Sequence, residues 1–366
     1  MNNKKMIIII LLLIIIHAPL NVKAQVIEEK EEHCNTPILK IFGEIDRSKT
    51  IEINGIDNPL YCVFKDKEYA MNKLKENVPD LLEYIKNKYN LQTLNSSNWK
   101  DYKTSMYELM NDDSKYNEDS KEIIILRSFF GIYEDDEKNE EIIEYVNTNN
   151  KKIKNVDSIE YLEISYMLPY YSSMARSVEE NTTYKINAKS SFNVSKAINY
   201  AKKYAYEANN KDYEVFKQDC TNFASQILEA GGVSQEVYDS VYKGWWHKKT
   251  MIAFVPHHTN SHSWSLADVF ARYMGVGYTT NNNNDFSKNI KKGDFVALDF
   301  DNNGTWDHLG FVTDKKTSPA CYWNGDYIDY KIAQHSDNYN AWGSDKNENN
   351  WPKKGTQGAK YARIRR

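Results

Sequence analysis

The chain has 366 residues, a formal net charge of −4, 27% charged residues and 13% aromatic residues that include 27 tyrosines. This length admits two or three domains, and the aromatic content is ample for packed cores, which excludes a largely disordered chain. No basic stripe accompanies the near-neutral charge, so a nucleic-acid-binding protein is not expected.

The first residues predict a secretory signal peptide over residues 1–24. Lys4 and Lys5 precede an apolar run from Met6 to Ile16, and a small residue stands before Gln25 as a cleavage site. A membrane anchor needs about 20 apolar residues, and this run is shorter. We therefore expect a secreted, extracellular protein with no stable membrane anchor after cleavage, either free or associated with the cell wall.

Residues 25–186 predict a mostly helical N-terminal domain of unknown role, because apolar residues recur at helical spacing. No catalytic spacing is recognisable in it, so a spacer, a pro-region and a binding module stay open. A polar stretch over residues 178–191 marks the boundary to a second domain, residues 191–366. The clearest N-terminal helical segments are Glu68 to Tyr89, Ser105 to Asn111, Lys121 to Tyr133 and Ile142 to Val146.

The second domain has the order of an α+β fold. Helices are expected from Ser195 to Ala208, from Cys220 onward and from Leu266 to Tyr273, followed by short segments rich in aromatic and branched residues. Asn303-Gly304 and Asn324-Gly325 predict two-residue hairpin turns between antiparallel strands. The predicted strands are Asp294 to Phe300, His308 to Thr313, Ala320 to Trp323, Tyr327 to His335 and Lys360 to Ile364.

Cys220 is the candidate nucleophile. It opens a predicted helix that Gly231 and Gly232 close, and a thiol there lies among unpaired backbone N–H groups at the positive end of the helix dipole. That position favours the reactive thiolate. A buried packing role is the alternative, although the flanking Asp219 and Thr221 are unusual for a core position.

A thiol hydrolase also needs a base, and His308, at the start of a predicted strand, is the best placed histidine. A third polar group should orient its ring. We expect His335 at the end of a later strand to do so, with Gln334, Asn338 and Asp219 as alternatives.

Three further residues are candidates for contact with the substrate. The backbone of Cys220, together with Gln218, is expected to donate hydrogen bonds to an oxyanion. Asp219 either fixes its loop or binds a substrate amine. Trp264, with Trp245 and Trp246, belongs either to the core or to a groove for a sugar or a peptide.

Two segments have the composition of metal sites, although no cofactor is required for the chemistry. Residues 299–307 fit the first nine positions of an EF-hand loop, but the twelfth position is Gly310 instead of Glu, so structural calcium competes with a polar turn. His257, His258 and His262 lack a partner carboxylate, and a solvated loop is favoured over zinc. The calcium ligands would be Asp299, Asp301, Asn303, Thr305 and Asp307.

The four cysteines allow one disulfide prediction. In an exported chain, Cys34 and Cys62 could pair, although spacing cannot fix the connectivity. Cys321 lies in a predicted strand and is expected to be an inert buried thiol. No CxxC pair is present, which argues against structural zinc of the common kind.

Several motifs follow one another over residues 191–366: Asp219 to Gln226, Ala230-Gly231-Gly232, Ser263-Trp264-Ser265, Lys292-Gly293-Asp294 and Gly304 to His308. These motifs resemble the bacterial putative amidase domain family, which is similar to the NlpC/P60 and CHAP groups of papain-like cell-wall hydrolases. The resemblance implies a papain-like fold with Cys220 as nucleophile, His308 as base and His335 as third polar residue. It implies hydrolysis of an amide, plausibly in peptidoglycan. A thiol peptidase or effector that cuts a protein, and a non-catalytic wall-binding module, are the alternatives.

Overall fold

The computed structural model describes residues 33–112, 115–117, 120–156, 158–176, 192–317, 327–345 and 350–365. The predicted signal peptide, the domain boundary at 178–191, Cys321 with its strand, and the Asn324-Gly325 turn lie outside these residues. Helices and an antiparallel sheet are combined within them, which confirms the α+β class. None of the helices in these ranges has both the length and the apolar character that a membrane span needs.

The N-terminal part is mainly helical, as predicted, but it also contains short strands that the sequence analysis missed. The strands form two antiparallel pairs, β1 with β4 and β2 with β3. The strands are β1 (Ile45–Asp46), β2 (Thr50–Ile53), β3 (Ile56–Pro59) and β4 (Val63–Phe64). The helices are α1 (Lys67–Asn77), α2 (Pro79–Lys88), α3 (Trp99–Asp112), α4 (Lys121–Ile153) and α5 (Ile159–Met167).

The bounds of these helices differ from the predicted ones, and α3 begins at Trp99 instead of Ser105. The segment from Glu68 to Tyr89 is divided at Val78, whose φ of −135° and ψ of 45° are not helical. Pro79 follows, and a proline disfavours helical geometry in the residue before it. The two segments predicted between Lys121 and Val146 are instead one continuous helix, α4.

The C-terminal part is built on a six-stranded sheet with the order β11-β10-β9-β8-β12-β7, in which all neighbours are antiparallel. Two strands precede this sheet along the chain, β5 (His247–Ile252) and β6 (Val255–Asn260). The strands of the sheet are β7 (Val276–Thr280), β8 (Phe295–Asp299), β9 (His308–Lys315), β10 (Tyr330–Gln334), β11 (Tyr339–Trp342) and β12 (Lys360–Ile364). The helices are α6 (Val194–Tyr204), α7 (Cys220–Ala230), α8 (His262–Ser265), α9 (Ala267–Met274), α10 (Asn283–Asn289) and α11 (Trp351–Lys354).

Helix α7 is the central helix of this part, and every residue from Cys220 to Leu228 is buried. Its apolar side chains join one core with those of β8 and β9. Its polar side chains find partners instead of water: the hydroxyl of Ser225 donates to the backbone oxygen of Trp264 at 2.9 Å, and Tyr200 donates to Gln226 at 2.8 Å. Buried polar groups are tolerated when they are hydrogen-bonded in this way.

Residues 299–307, called the acidic loop below, connect β8 to β9. The sequence predicted a two-residue turn at Asn303-Gly304, but Leu298 pairs with His308, so the connection is longer. The backbone N–H groups of Asn303 and Gly304 both donate to the carboxylate of Asp299 at 3.0 Å, which folds the loop around that side chain. The two-residue turn prediction is therefore wrong.

The N-terminal part packs directly against the acidic loop. The backbone N–H of Cys34 donates to the backbone oxygen of Asn302, and that of Tyr170 donates to Gly304, both at 2.9 Å. The ring of Tyr170 also stacks on Trp306, with centroids 4.5 Å apart. The two parts of the chain therefore meet at the loop that leads into His308.

Candidate active site

Cys220 occupies the first position of α7, as the sequence predicted, and is 6% exposed. Its sulfur lies 3.6 Å from the hydroxyl oxygen of Thr221. The first turn of a helix has backbone N–H groups without helical partners, which stabilise negative charge. The thiol is thus placed where its anion is favoured.

His308 lies against this thiol. It is the first residue of β9, which packs on α7, and its side chain forms a hydrogen bond with Cys220. Burial acts to raise the pKa of the Cys220 thiol, but the charge of His308, its hydrogen bond and two weaker hydrogen bonds together lower the pKa below the ordinary value. Hydrogen bonds from the Leu309 backbone and the Thr221 side chain act in the same direction.

Gln334 supports the ring of His308 from the other side. Its Oε1 lies 2.9 Å from Nε2 of His308 and 2.7 Å from the indole Nε1 of Trp351. An indole N–H can only donate, so the shared amide atom must be the oxygen. Nε2 of His308 therefore carries a proton, and Nδ1 is the nitrogen able to accept one from Cys220.

His335 does not have the position that was expected of it. Its Nδ1 lies 2.6 Å from Oδ2 of Asp219, its Nε2 lies 2.7 Å from the backbone oxygen of Tyr204, and its ring stacks on Phe223 at 3.8 Å. Gln334 is the last residue of β10 and reaches His308, whereas His335 follows the end of the strand and contacts Asp219. The prediction that His335 is the third polar residue is corrected to Gln334, which was one of its alternatives.

Asp219 fixes the segment that leads into α7. Its Oδ1 accepts from the backbone N–H of Phe216 at 3.0 Å and from the side chain of Asn222 at 2.8 Å, while Oδ2 faces His335. These contacts use both oxygens of a side chain that is 4% exposed. They favour the loop-fixing interpretation of Asp219 over binding of a substrate amine.

The two other candidate substrate contacts have different outcomes. Gln218 is exposed and borders the cavity above Cys220, so its role toward an oxyanion stays a prediction. Trp264 is fully buried, donates to Asn222 at 2.8 Å and stacks on Trp245 at 5.0 Å. Trp264 is therefore a core residue, and the groove interpretation is wrong for it.

A cavity of about 50 Å³ lies above Cys220 and His308, between the two parts of the chain. At roughly 30 Å³ for each water, this volume corresponds to about two waters at most. Arg127, Tyr107 and Met110 from helices α3 and α4 close it on one side, a contribution that no pattern in the sequence indicated. The full lining is Tyr107, Met110, Arg127, Lys217, Gln218, Cys220, Phe300, Asp307, His308 and Ser336.

Several of the calcium ligands expected in the acidic loop take part in other hydrogen bonds. Asp299 accepts from its own loop and from the hydroxyl of Tyr170 at 3.0 Å, whereas Asp307 accepts from the backbone of Phe300 at 2.8 Å. Asn303, another expected ligand, donates instead to Asp135 of α4 at 3.4 Å. In the part of the chain that the structure describes, no three His, Cys, Asp or Glu side chains are grouped to hold a metal ion. Calcium binding by this loop stays a prediction.

The histidine cluster and the paired cysteines are also placed differently from the predictions. His257 and His258 lie on strand β6, not in a solvated loop, and Nδ1 of His258 is 2.8 Å from Nε2 of His247. Cys34 and Cys62 are buried free thiols, so the predicted disulfide is absent from the structure. A hydrogen bond joins their side chains, and burial raises the pKa of Cys34 well above its ordinary value.

Comparison with known proteins bears on the C-terminal part. A family model described as "Putative amidase domain" matches residues 191–361. The match suggests a hydrolase acting on amides in this region, called the amidase region below.

One curated relative matches part of the chain, but its name states no activity. Uncharacterized protein YhbB of Bacillus subtilis (strain 168) is 29% identical over 122 residues, which are 32% of this chain and 36% of the relative. The chain thus spans about a third of that relative's length. No solved structure matches the chain, so the papain-like fold stays a prediction.

Proposed function

We propose that this chain is a secreted, cysteine-dependent amide hydrolase whose substrate is peptidoglycan. One observation carries the proposal: the thiol of Cys220, at a helix start, is hydrogen-bonded to His308, and Gln334 holds the opposite side of that imidazole. The match of residues 191–361 to an amidase family supports amide hydrolysis. The resemblance to cell-wall hydrolases and the predicted signal peptide support the substrate and the location.

The first half of the reaction forms an acyl-enzyme. His308 takes the thiol proton at Nδ1, and the thiolate of Cys220 attacks the carbonyl carbon of the amide. The backbone N–H of Cys220 and the side chain of Gln218 donate to the oxyanion of the tetrahedral intermediate. His308 then returns the proton to the leaving amine, and the C–N bond breaks.

Water completes the cycle. His308 removes a proton from a water molecule that attacks the thioester carbon, and the C–S bond breaks as the carboxylic acid leaves. The proton passes back to the sulfur, so the enzyme is regenerated. Gln334 keeps the imidazole oriented through both halves, because its amide oxygen accepts the hydrogen bond from Nε2–H of His308 throughout.

The test is digestion of purified peptidoglycan with the mature chain and with Cys220→Ala. We expect new amino groups from the former and none from the latter, while circular dichroism shows the same fold for both. Mass spectrometry of the products identifies the bond that is cut. If the chain cleaves a protein such as casein and leaves peptidoglycan intact, peptidoglycan is not the substrate. If the wild-type chain and Cys220→Ala release equal amounts of amine, the thiol mechanism is wrong.

A further inference from the structure

The cavity above the thiol contains a cation that the chemistry proposed above does not use. Arg127 lies on α4, in the N-terminal part, and lines the same cavity as Cys220 and His308. Its side chain is buried, at 5% exposure, and the guanidinium carbon lies 3.8 Å from the ring centre of Phe300. A residue far from the amidase region in sequence is therefore placed beside the reactive pair.

The guanidinium lacks the partners that a buried arginine usually has. Among the described residues, none accepts a hydrogen bond from Nε or Nη1 of Arg127. Burial raises the pKa of the nearby Asp301, and the charge of Arg127 acts against that rise, so the two groups interact electrostatically. A buried cation without a hydrogen-bonded anion is costly, which points to a ligand that completes the site.

A carboxylate is the group that best fits this site. The planar guanidinium offers parallel N–H donors that match the two oxygens of a carboxylate. The cavity has room for such a group but not for a polymer chain, so the rest of the substrate must extend out of it.

We propose that Arg127 binds a carboxylate of the substrate next to the scissile bond, so that the N-terminal helical part completes the substrate site. The substrate class is then an amide whose neighbouring residue carries a free carboxylate, as at the C-terminal end of a peptide. This inference rests on the proposed function, because the proposed function identifies the scissile bond as an amide.

Two matched alkylating reagents test this proposal. Iodoacetate carries a carboxylate and iodoacetamide is its neutral counterpart, so the ratio of their rates at Cys220 reports anion binding beside the sulfur. We expect Arg127→Gln to lower the iodoacetate-to-iodoacetamide ratio at least about tenfold and Arg127→Lys to lower it less. Lys100→Gln, which removes one exposed positive charge from α3, is the control. An unchanged ratio in Arg127→Gln overturns the proposal.

A second measurement does not need a reactive thiol. In the Cys220→Ser protein, N-acetylalanine should raise the melting temperature in a saturable way while N-acetylalaninamide does not, and Arg127→Gln should abolish the difference. Equal shifts from the two compounds overturn the carboxylate site. If N-acetylalanine alone raises the melting temperature but Cys220→Ala does not change amide hydrolysis, the proposed function is wrong and the carboxylate site at Arg127 is retained.

Discussion

Oε1 of Gln334 lies 2.9 Å from Nε2 of His308 and fixes which ring nitrogen faces the nucleophile. The indole N–H of Trp351 donates to the same oxygen, so the amide cannot rotate without losing a buried hydrogen bond. Gln334 is thus a positioning residue that acts through His308.

We expect Gln334→Ala to lower kcat about tenfold or more with little change in KM, because the imidazole loses its orientation but the substrate site is intact. Gln334→Glu retains an acceptor at the same place and should recover part of kcat. Steady-state kinetics on the released amines measures both. His308→Ala is the reference, with a loss of at least about a hundredfold. A Gln334→Ala enzyme with unchanged kcat would remove this role from Gln334.

His335 should matter for stability. Its replacement by Ala leaves Oδ2 of the buried carboxylate of Asp219 without its hydrogen-bond partner, which costs about 1–3 kcal/mol or more. We expect the melting temperature of His335→Ala to fall by several degrees, as measured by calorimetry. In an Asp219→Asn background the same substitution should cost less, because the unpaired charge is absent. Equal costs in both backgrounds would show that the pair is not coupled.

Gly131 tests the contact between α4 and the acidic loop. A Cβ at this position would lie 2.6 Å from Oδ2 of Asp301, so Gly131→Ala must displace the buried Asp301 side chain. Although alanine favours a helix over glycine, we expect a loss of about 1–3 kcal/mol in stability and lower activity, since the loop leads to His308.

Chemical denaturation and amine release measure these two effects of Gly131→Ala. The double variant with Asp301→Ala is the control, because it removes the atom that the new methyl group meets. It should recover part of the loss, and a Gly131→Ala protein as stable and active as wild type would contradict the close contact.

Much of this fold and part of the site could be predicted from local sequence. The apolar periodicity and the helix-start position located α7 and Cys220, and strand composition located β12. Gln334 was distinguishable from His335 only by where β10 ends and which face Gln334 presents, and both depend on the pairing of β10 with its neighbours. The Asn54-Gly55 turn between β2 and β3 was a readable hairpin signal that the helical interpretation of this region overlooked.

The approach of the N-terminal part to the cavity could not be predicted in the same way. Arg127 stands in an apolar stretch of α4 where periodicity indicates only a buried helix face. Its place beside Cys220 depends on how two distant segments pack, and one sequence gives no measure of that. The contact between the acidic loop and the N-terminal part could not be predicted for the same reason. In addition, the oxygen-rich pattern of this loop also matches a calcium loop.

The acidic loop should make stability depend on pH. Burial raises the pKa of Asp299 to about 7, with hydrogen bonds from Gly304, Asn303 and Tyr170 opposing the rise. The folded state therefore binds this proton more tightly than the unfolded chain, where the pKa is about 4. The contribution of Asp299 to stability is full below about pH 4 and is lost as the pH rises to about 7.

Asp299→Asn removes this titration. The fall in melting temperature between pH 5 and pH 7 should become shallower in Asp299→Asn by about 2 °C or more. Glu44→Gln, which removes an exposed carboxylate, is the control and should keep the wild-type slope. Parallel slopes for Asp299→Asn and wild type would assign the pH dependence to other groups.

The rate of Cys220 alkylation by iodoacetamide, followed from pH 4 to pH 10 in wild type and in His308→Ala, tests most directly whether His308 activates the thiol. Since the charge of His308 lowers the pKa of this buried thiol, wild type should react with a midpoint below that of an ordinary cysteine. Without the imidazole, burial remains and the midpoint should move above it. Buried Cys34, whose pKa is raised, should stay slow throughout. A wild-type midpoint at or above the ordinary value, and unchanged in His308→Ala, would contradict the account.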